Sequence, residues 1–163
     1  MKHTLSVLVE NKPGVLTRVA GLFARRGFNI DSLAVGPTEN ESISRMTIVV
    51  DAESAPLEQV RKQVHKLINV IKIHDLDPAE MVDRELCLLK VHAPPASRAE
   101  IAAVAEIFRA KVVDVGKTVM TVEMTGTADK IDAMKDLLRP YGIKEMARTG
   151  KVALSRGSRE SEG

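Results

Sequence analysis

The sequence predicts an α+β protein made of two βαββαβ units in tandem. Short runs with strand patterning alternate with longer runs whose apolar residues recur at helical spacing. The order strand–helix–strand–strand–helix–strand occurs twice within 163 residues. Polar, proline-containing residues separate the two halves.

In the first half, residues 1–76, the strand Thr4–Val9 alternates Leu5, Val7 and Val9 with Thr4, Ser6 and Leu8. A helix over Gly14–Arg26 follows, with Val15, Leu16, Val19, Leu22 and Phe23 as its stripe. Arg25 and Arg26 suit the negative end of its dipole, and Gly27 suits its C-terminal cap. The strand Asn29–Val35, a polar turn from Gly36 to Ser42, and the strand Arg45–Val50 come next. Ala55-Pro56 opens a second helix with Leu57, Val60, Val64, Leu67 and Ile68 as its stripe. The strand Val70–Asp75 closes the half.

Residues 77–83 read as a charged linker, because Pro78 disfavours helix in the residue before it. Residues 84–150 repeat the order. Glu85–Val91 is a strand, and Pro94-Pro95-Ala96-Ser97 leads into a helix carrying Ile101, Val104, Ala105 and Phe108. Lys111–Val115 and Thr118–Met124 pair across Gly116-Lys117. Thr127 caps a helix carrying Ile131, Met134 and Leu138, Pro140 to Gly142 breaks it, and Ile143–Ala147 is the last strand. Residues 151–163 read as a tail, mobile from Ser155 on. Each half is thus a ferredoxin-like unit near the size at which one core is marginal. Leu86-Cys87-Leu88-Leu89 is apolar on both parities, which predicts a strand covered on both sides, inside the domain or at a subunit contact.

Composition excludes several functions. Aromatic residues make up 2% of the chain and Lys and Arg are scattered, which argues against nucleic-acid binding through stacking or a basic patch. The single Cys87 forms no internal disulfide and fits a reducing compartment. No run approaches the length of a bilayer span, so no membrane association is expected and the cytoplasm is the expected location. No catalytic constellation is present. His3, His65, His74 and His92 form no metal-ligand pair of recognised spacing, and no dinucleotide or phosphate loop occurs. Asp51 and Glu53 read as solvated loop residues, and Cys87 as a small core thiol. Asp75, Asp77, Glu80 and Asp83 can hold a hard cation weakly, but a charged linker accounts for them. Neither a metal site nor a cofactor site is predicted.

The chemistry that remains lies at Asn11-Lys12-Pro13-Gly14-Val15-Leu16, a strand-to-helix turn. Pro13 removes a donor that a first helical turn does not need, and Gly14 has no Cβ to obstruct a ligand. Free amides at the positive helix end suit a carboxylate, and the Asn11 amide oxygen can accept from an ammonium group. Together they suit a free amino acid. The same residues also serve as an ordinary turn in which Asn11 only caps the helix.

Glu10–Leu16 resembles the ligand turn of ACT domains, the amino-acid sensing modules of metabolic enzymes. Gly27-Phe28-Asn29-Ile30-Asp31-Ser32-Leu33, Ser44-Arg45-Met46-Thr47, Gln63-Val64-His65-Lys66-Leu67, Arg84-Glu85-Leu86-Cys87-Leu88 and Ala153-Leu154-Ser155-Arg156-Gly157 extend the likeness along the chain. Together they resemble the small regulatory subunits of acetolactate synthase (acetohydroxyacid synthase). The resemblance implies an N-terminal ACT domain at residues 1–76 and a non-catalytic role. It implies a large catalytic partner subunit that holds thiamine diphosphate, FAD and magnesium, with feedback inhibition by valine. It also implies pairing of two ACT domains, with Asn11, Gly14, Val15 and Leu16 from one chain and Asn29 and Ile30 from its partner around the effector. The second half has Pro94-Pro95-Ala96-Ser97 in place of an Asn-x-x-Gly turn and is assigned no effector site. A stand-alone amino-acid sensor acting on gene expression or on another enzyme is the alternative. It lacks a helix-turn-helix or basic arm.

Overall fold

The computed structural model describes residues 1–157, apart from the side chains of residues 54 and 55. The chain divides into two compact units. One is Met1–Asp83 with the segment from Lys151 on; the other is Arg84–Gly150.

The first unit runs β1 (Lys2–Glu10), α1 (Val15–Arg25), β2 (Asn29–Pro37), β3 (Ile43–Asp51), α2 (Ser54–His65) and β4 (Val70–Leu76). Its antiparallel sheet has the order β2-β3-β1-β4, so β2 and β4 are edges. Leu5, Val7 and Val9 of β1 share a face with Met46, Ile48 and Val50 of β3, and all six are buried. Val15, Val19 and Phe23 of α1 and Leu57, Val60 and Val64 of α2 complete that core. Each such side chain contributes about 1.5–3 kcal/mol by leaving water, which makes the period-two and period-3.6 stripes decisive here.

Two glycines frame α1. Gly14 precedes it at φ 83° and ψ −9°. Gly27 follows it at φ 78°. The Gly27 amide donates to the Ala24 carbonyl (3.0 Å) and the Phe28 amide to the Phe23 carbonyl (3.0 Å), the paired bonds of a Schellman motif. The Phe23 and Phe28 rings then meet edge-on at 6.4 Å. This stop delivers the chain directly to Asn29.

The second unit repeats the plan: β5 (Met81–His92, whose first three residues belong to the first unit), α3 (Arg98–Ile107), β6 (Lys111–Val115), β7 (Val119–Gly126), α4 (Ala128–Leu138) and β8 (Ile143–Arg148), in the order β6-β7-β5-β8. The duplication extends to irregularities. β2 is bulged between Ile30 and Ser32, and β6 between Val112 and Asp114. β1 shifts register against β4 after Leu8, and β5 shifts against β8 after Lys90. α3 also ends in a Schellman pair, with Arg109 donating to Glu106 and Ala110 to Ala105. Arg109 therefore occupies at φ 57° the place that Gly27 holds in the first unit.

Several expectations are corrected. The residues read as a linker include a 3-10 turn at Pro78–Glu80, which Asp77 caps by accepting from the Ala79 amide (3.0 Å). β5 then begins at Met81, four residues before the expected start at Glu85. The residues read as a tail contain β9 (Val152–Ser155), which pairs with β5. The reason is burial: Leu76, Met81 and Ala153 form a small core of their own. Beyond β9, the Arg156 amide donates to the Glu80 carbonyl (2.7 Å). The expected mobility past this point falls on residues 158–163, outside the described residues. Ile68 is 93% exposed, because α2 ends at His65 and the chain turns before the stripe reaches it. Thr127 stands at the N-cap of α4, but its carbonyl (3.1 Å from the Ile131 amide) does the bonding, with no side-chain cap. Within β5, Cys87 and Leu89 are buried, whereas Leu86 and Leu88 are 38% and 39% exposed. The two parities of that strand are thus unequal in this chain.

Candidate functional site

The turn between β1 and α1 is held by the β2–β3 loop. The Asn11 amide donates to the Ser42 carbonyl (2.8 Å), and Asn11 Nδ2 donates to the Glu41 carbonyl (3.2 Å). Both bonds tie Asn11 to the β2–β3 loop and leave its Oδ1 as the open acceptor. Asn11 does not cap α1: the N-cap is Gly14, and no side chain bonds there. Of the first-turn amides that lack intrahelical partners, that of Val15 reaches the Lys12 carbonyl at 3.4 Å. The amides of Leu16 and Thr17 remain as donors at the positive helix end. Donors that suit a carboxylate and an acceptor that suits an ammonium group thus stand on one exposed turn.

Gly14 has a second reason to be glycine. At φ 83° an L side chain is strained whether or not a ligand is present, although a Cβ built there meets nothing within 4 Å. Val15 is 3% exposed and packs in the core, so only its backbone can face a ligand. Leu16 is 43% exposed and offers the apolar surface at the turn.

Asn29 and Ile30 lie elsewhere. Asn29 is exposed at the start of β2 and donates through Nδ2 to Asp31 Oδ1 (3.2 Å). Ile30 is half-buried against the first core. The register fixes their distance from Asn11. Asn29 pairs with Asp51, which also pairs with Lys2, whereas Glu10 pairs with Ile43 at the far end of β3. Eight residues of strand separate those ends, about 26 Å at 3.3 Å per residue. One chain therefore keeps Asn11 and Asn29 at opposite ends of its sheet.

Sequence reasoning missed a polar network behind the turn. Lys12 Nζ lies 2.8 Å from Glu10 Oε2, and this hydrogen bond holds the Glu10 carboxyl below the usual carboxylate range. Arg18 Nη2 donates to Asn69 Oδ1 (2.7 Å), and Asn69 Nδ2 donates to Glu10 Oε2 (3.4 Å). No sequence pattern links residues 10, 18 and 69; only the fold joins them.

At the corresponding place in the second unit, the Arg98 guanidinium donates to the carbonyls of Ala93 (3.1 Å), Gly116 (2.5 Å) and Lys117 (2.5 Å). Cys87 is buried, and burial pushes its thiol above the ordinary range, away from nucleophilic thiolate chemistry. Among the described residues, no group of three His, Cys, Asp or Glu side chains is placed to hold a metal ion. No helix among them is long and apolar enough to cross a membrane.

Comparison with known proteins gives the same answer for both halves. Residues 5–72 match the AHAS small subunit-like ACT domain, and residues 84–157 match the family described as the small subunit of acetolactate synthase. The probable acetolactate synthase small subunit of Archaeoglobus fulgidus is 58% identical over 160 residues, covering 98% of this chain and 100% of that protein. The acetolactate synthase small subunit of Mycolicibacterium smegmatis is 57% identical over 157 residues, covering 96% of this chain and 92% of that protein. The crystal structure of the acetolactate synthase small subunit from Thermotoga maritima superimposes with a TM-score of 0.88 at 43% identity, over 96% of this chain and 98% of that one. The tandem ferredoxin-like fold predicted from the strand and helix order is the fold of that relative. With both halves matched and relatives more than half identical along nearly its whole length, this chain belongs to the family of acetolactate synthase small subunits and carries an ACT domain in its first half.

Proposed function

We propose that this chain is a non-catalytic regulatory subunit that binds valine, raises the activity of a large acetolactate synthase catalytic subunit, and confers feedback inhibition on it. Thiamine diphosphate, FAD and magnesium belong to that partner. Residues 1–76 are the effector domain, 77–83 connect it to the second domain at 84–150, and 151–163 follow.

The observation that carries the reading is the separation of Asn11 from Asn29 together with the open edge at β2. Ile30, Leu33 and Ala34 of this strand are only half-buried, and Val35 is 47% exposed, which is low burial for so apolar a strand. An open strand edge pairs readily with another strand. If two copies pair antiparallel along β2 about an axis near Leu33, the partner's start of β2 comes to the end where Pro37 pairs with Ser44. Val9 also pairs with Ser44, two residues before Asn11. Asn11, Gly14, the Val15 backbone and Leu16 of one copy then share a site with Asn29 and Ile30 of a second. Asn11 Oδ1 takes the ammonium group, the helix-end amides take the carboxylate, and Leu16 and Ile30 take the aliphatic side chain. Valine can change the enzyme's rate only by preferring one state of the complex, and a 5–150-fold effect requires about 1–3 kcal/mol of such preference.

Reconstitution tests this. Alone, with pyruvate and all three cofactors, the purified chain should form no acetolactate. Added to the large subunit it should raise the rate, and valine should bring the rate down again. Turnover by the chain alone, or a large subunit indifferent to it, refutes the proposal.

A further inference from the structure

We propose that Asn69 is a positioning residue for the effector turn, acting through Glu10 and Arg18. The inference rests on the reading that this turn takes the effector.

Asn69 lies in the short connection between α2 and β4. Its carbonyl accepts from the Glu10 amide (2.8 Å), fixing the end of β1. Its side chain then bridges the two arms of the effector turn. Nδ2 donates to Glu10 Oε2 on the incoming arm, and Oδ1 accepts from Arg18 Nη2 on the outgoing one. Arg18 is itself tied to the turn, because its amide donates to the Gly14 carbonyl (3.0 Å). Lys12 closes the loop from the other side through Glu10 Oε2.

The chemistry selects an amide here. One neighbour is a carboxylate, which only accepts, and the other is a guanidinium, which only donates. A neutral side chain that donates on one side and accepts on the other satisfies both without adding charge. The polar groups of Glu10, Arg18 and Asn69 are engaged with one another, so their role is to set where Asn11 Oδ1 stands relative to the Leu16 and Thr17 amides. Recognition of an amino acid requires those groups in register to within about 0.5 Å. Asn69 and Glu10 are half-buried and Arg18 is exposed, so water competes less for the Asn69–Glu10 bond than for the Asn69–Arg18 bond.

The test uses the reconstituted complex with the large subunit, with valine as probe. Asn69→Ala should raise the valine concentration for half-inhibition about tenfold, the scale of losing hydrogen bonds to charged groups. The rate without valine should move far less, a split that general destabilisation would not produce. Asn69→Asp should behave similarly, because it sets a second carboxylate against Glu10. Adding Glu10→Gln to Asn69→Asp reverses the bond's direction, with Gln donating and Asp still accepting from Arg18. This pair should restore most of the valine sensitivity, and it keeps the test decisive if Asn69→Ala folds poorly. If the unsubstituted complex responds to valine and Asn69→Ala responds at the same concentration, the positioning role is wrong. A reversed pair no better than Asn69→Asp alone also overturns it. If the unsubstituted complex ignores valine, the effector reading itself fails and this inference falls with it.

Discussion

A protein carrying Gly14→Asp should show no valine binding by titration calorimetry, while Gly14→Asn should retain weakened binding. Both side chains meet the same backbone problem at φ 83° and the same open space, since a Cβ there touches nothing within 4 Å. Asn and Asp are the residues that tolerate this region best, and the cost is about 1–2 kcal/mol or less. The difference between them is charge. A carboxylate at residue 14 sits at the positive end of α1, where it is compatible with the helix. It is incompatible with a ligand carboxylate seeking the Leu16 and Thr17 amides. The fold should therefore survive in both variants. Equal loss in both would make backbone geometry the whole explanation, and unchanged binding in the Asp variant would place the site elsewhere.

Arg148→Ala should destabilise the second unit by about 3–5 kcal/mol, the range for leaving a buried charge uncompensated. Glu85 is 6% exposed at the start of this unit's part of β5. Arg148, at the end of β8, grips it with two bonds, Nη2 to Oε2 (2.8 Å) and Nε to Oε1 (3.3 Å). Its Nη1 donates to Asp132 Oδ1 on α4 (2.6 Å), so one guanidinium links two strands and a helix. The bond to Glu85 holds the Arg148 pKa above even its ordinary high value, so the guanidinium stays charged. Denaturant unfolding should show the loss as a lower midpoint. Replacing both partners, Glu85→Met with Arg148→Met, should cost much less, because no buried charge remains. A double variant as unstable as Arg148→Ala alone would contradict this, because removing the uncompensated charge would then have restored nothing.

Much of this was legible in one dimension. The Val15–Val19–Phe23 stripe, the Gly14 and Gly27 limits of α1 and the alternation along β1 and β3 all follow local rules, and the structure obeys them. Local rules failed where tertiary burial decided. Met81 and Ala153 pack with Leu76, so residues 81–83 and 152–155 are strand where local rules read linker and tail. Ile68 kept helical spacing past the point where the helix had ended. Arg109 takes a glycine-like conformation with no glycine to announce it. The Glu85–Arg148 pair is 63 residues apart in sequence, and the Asn69–Glu10 pair 59, so no window contains them. For the candidate site, the turn chemistry at Asn11 and Gly14 is readable locally, whereas Asn29 enters only through the family resemblance. That Asn11 is held by the β2–β3 loop, and that Asn29 lies at the far end of the sheet, required the strand register.

In the proposed function, two copies share one effector site across the β2 edge. Sedimentation velocity with and without valine tests it most directly. A ligand that binds only the paired state stabilises pairing by mass action. Valine should therefore lower the dimer dissociation constant, and dilution of the protein should weaken its apparent affinity for valine. A chain that stays monomeric at micromolar concentration and still binds valine one-to-one would contradict the shared site, and with it the role of Asn29.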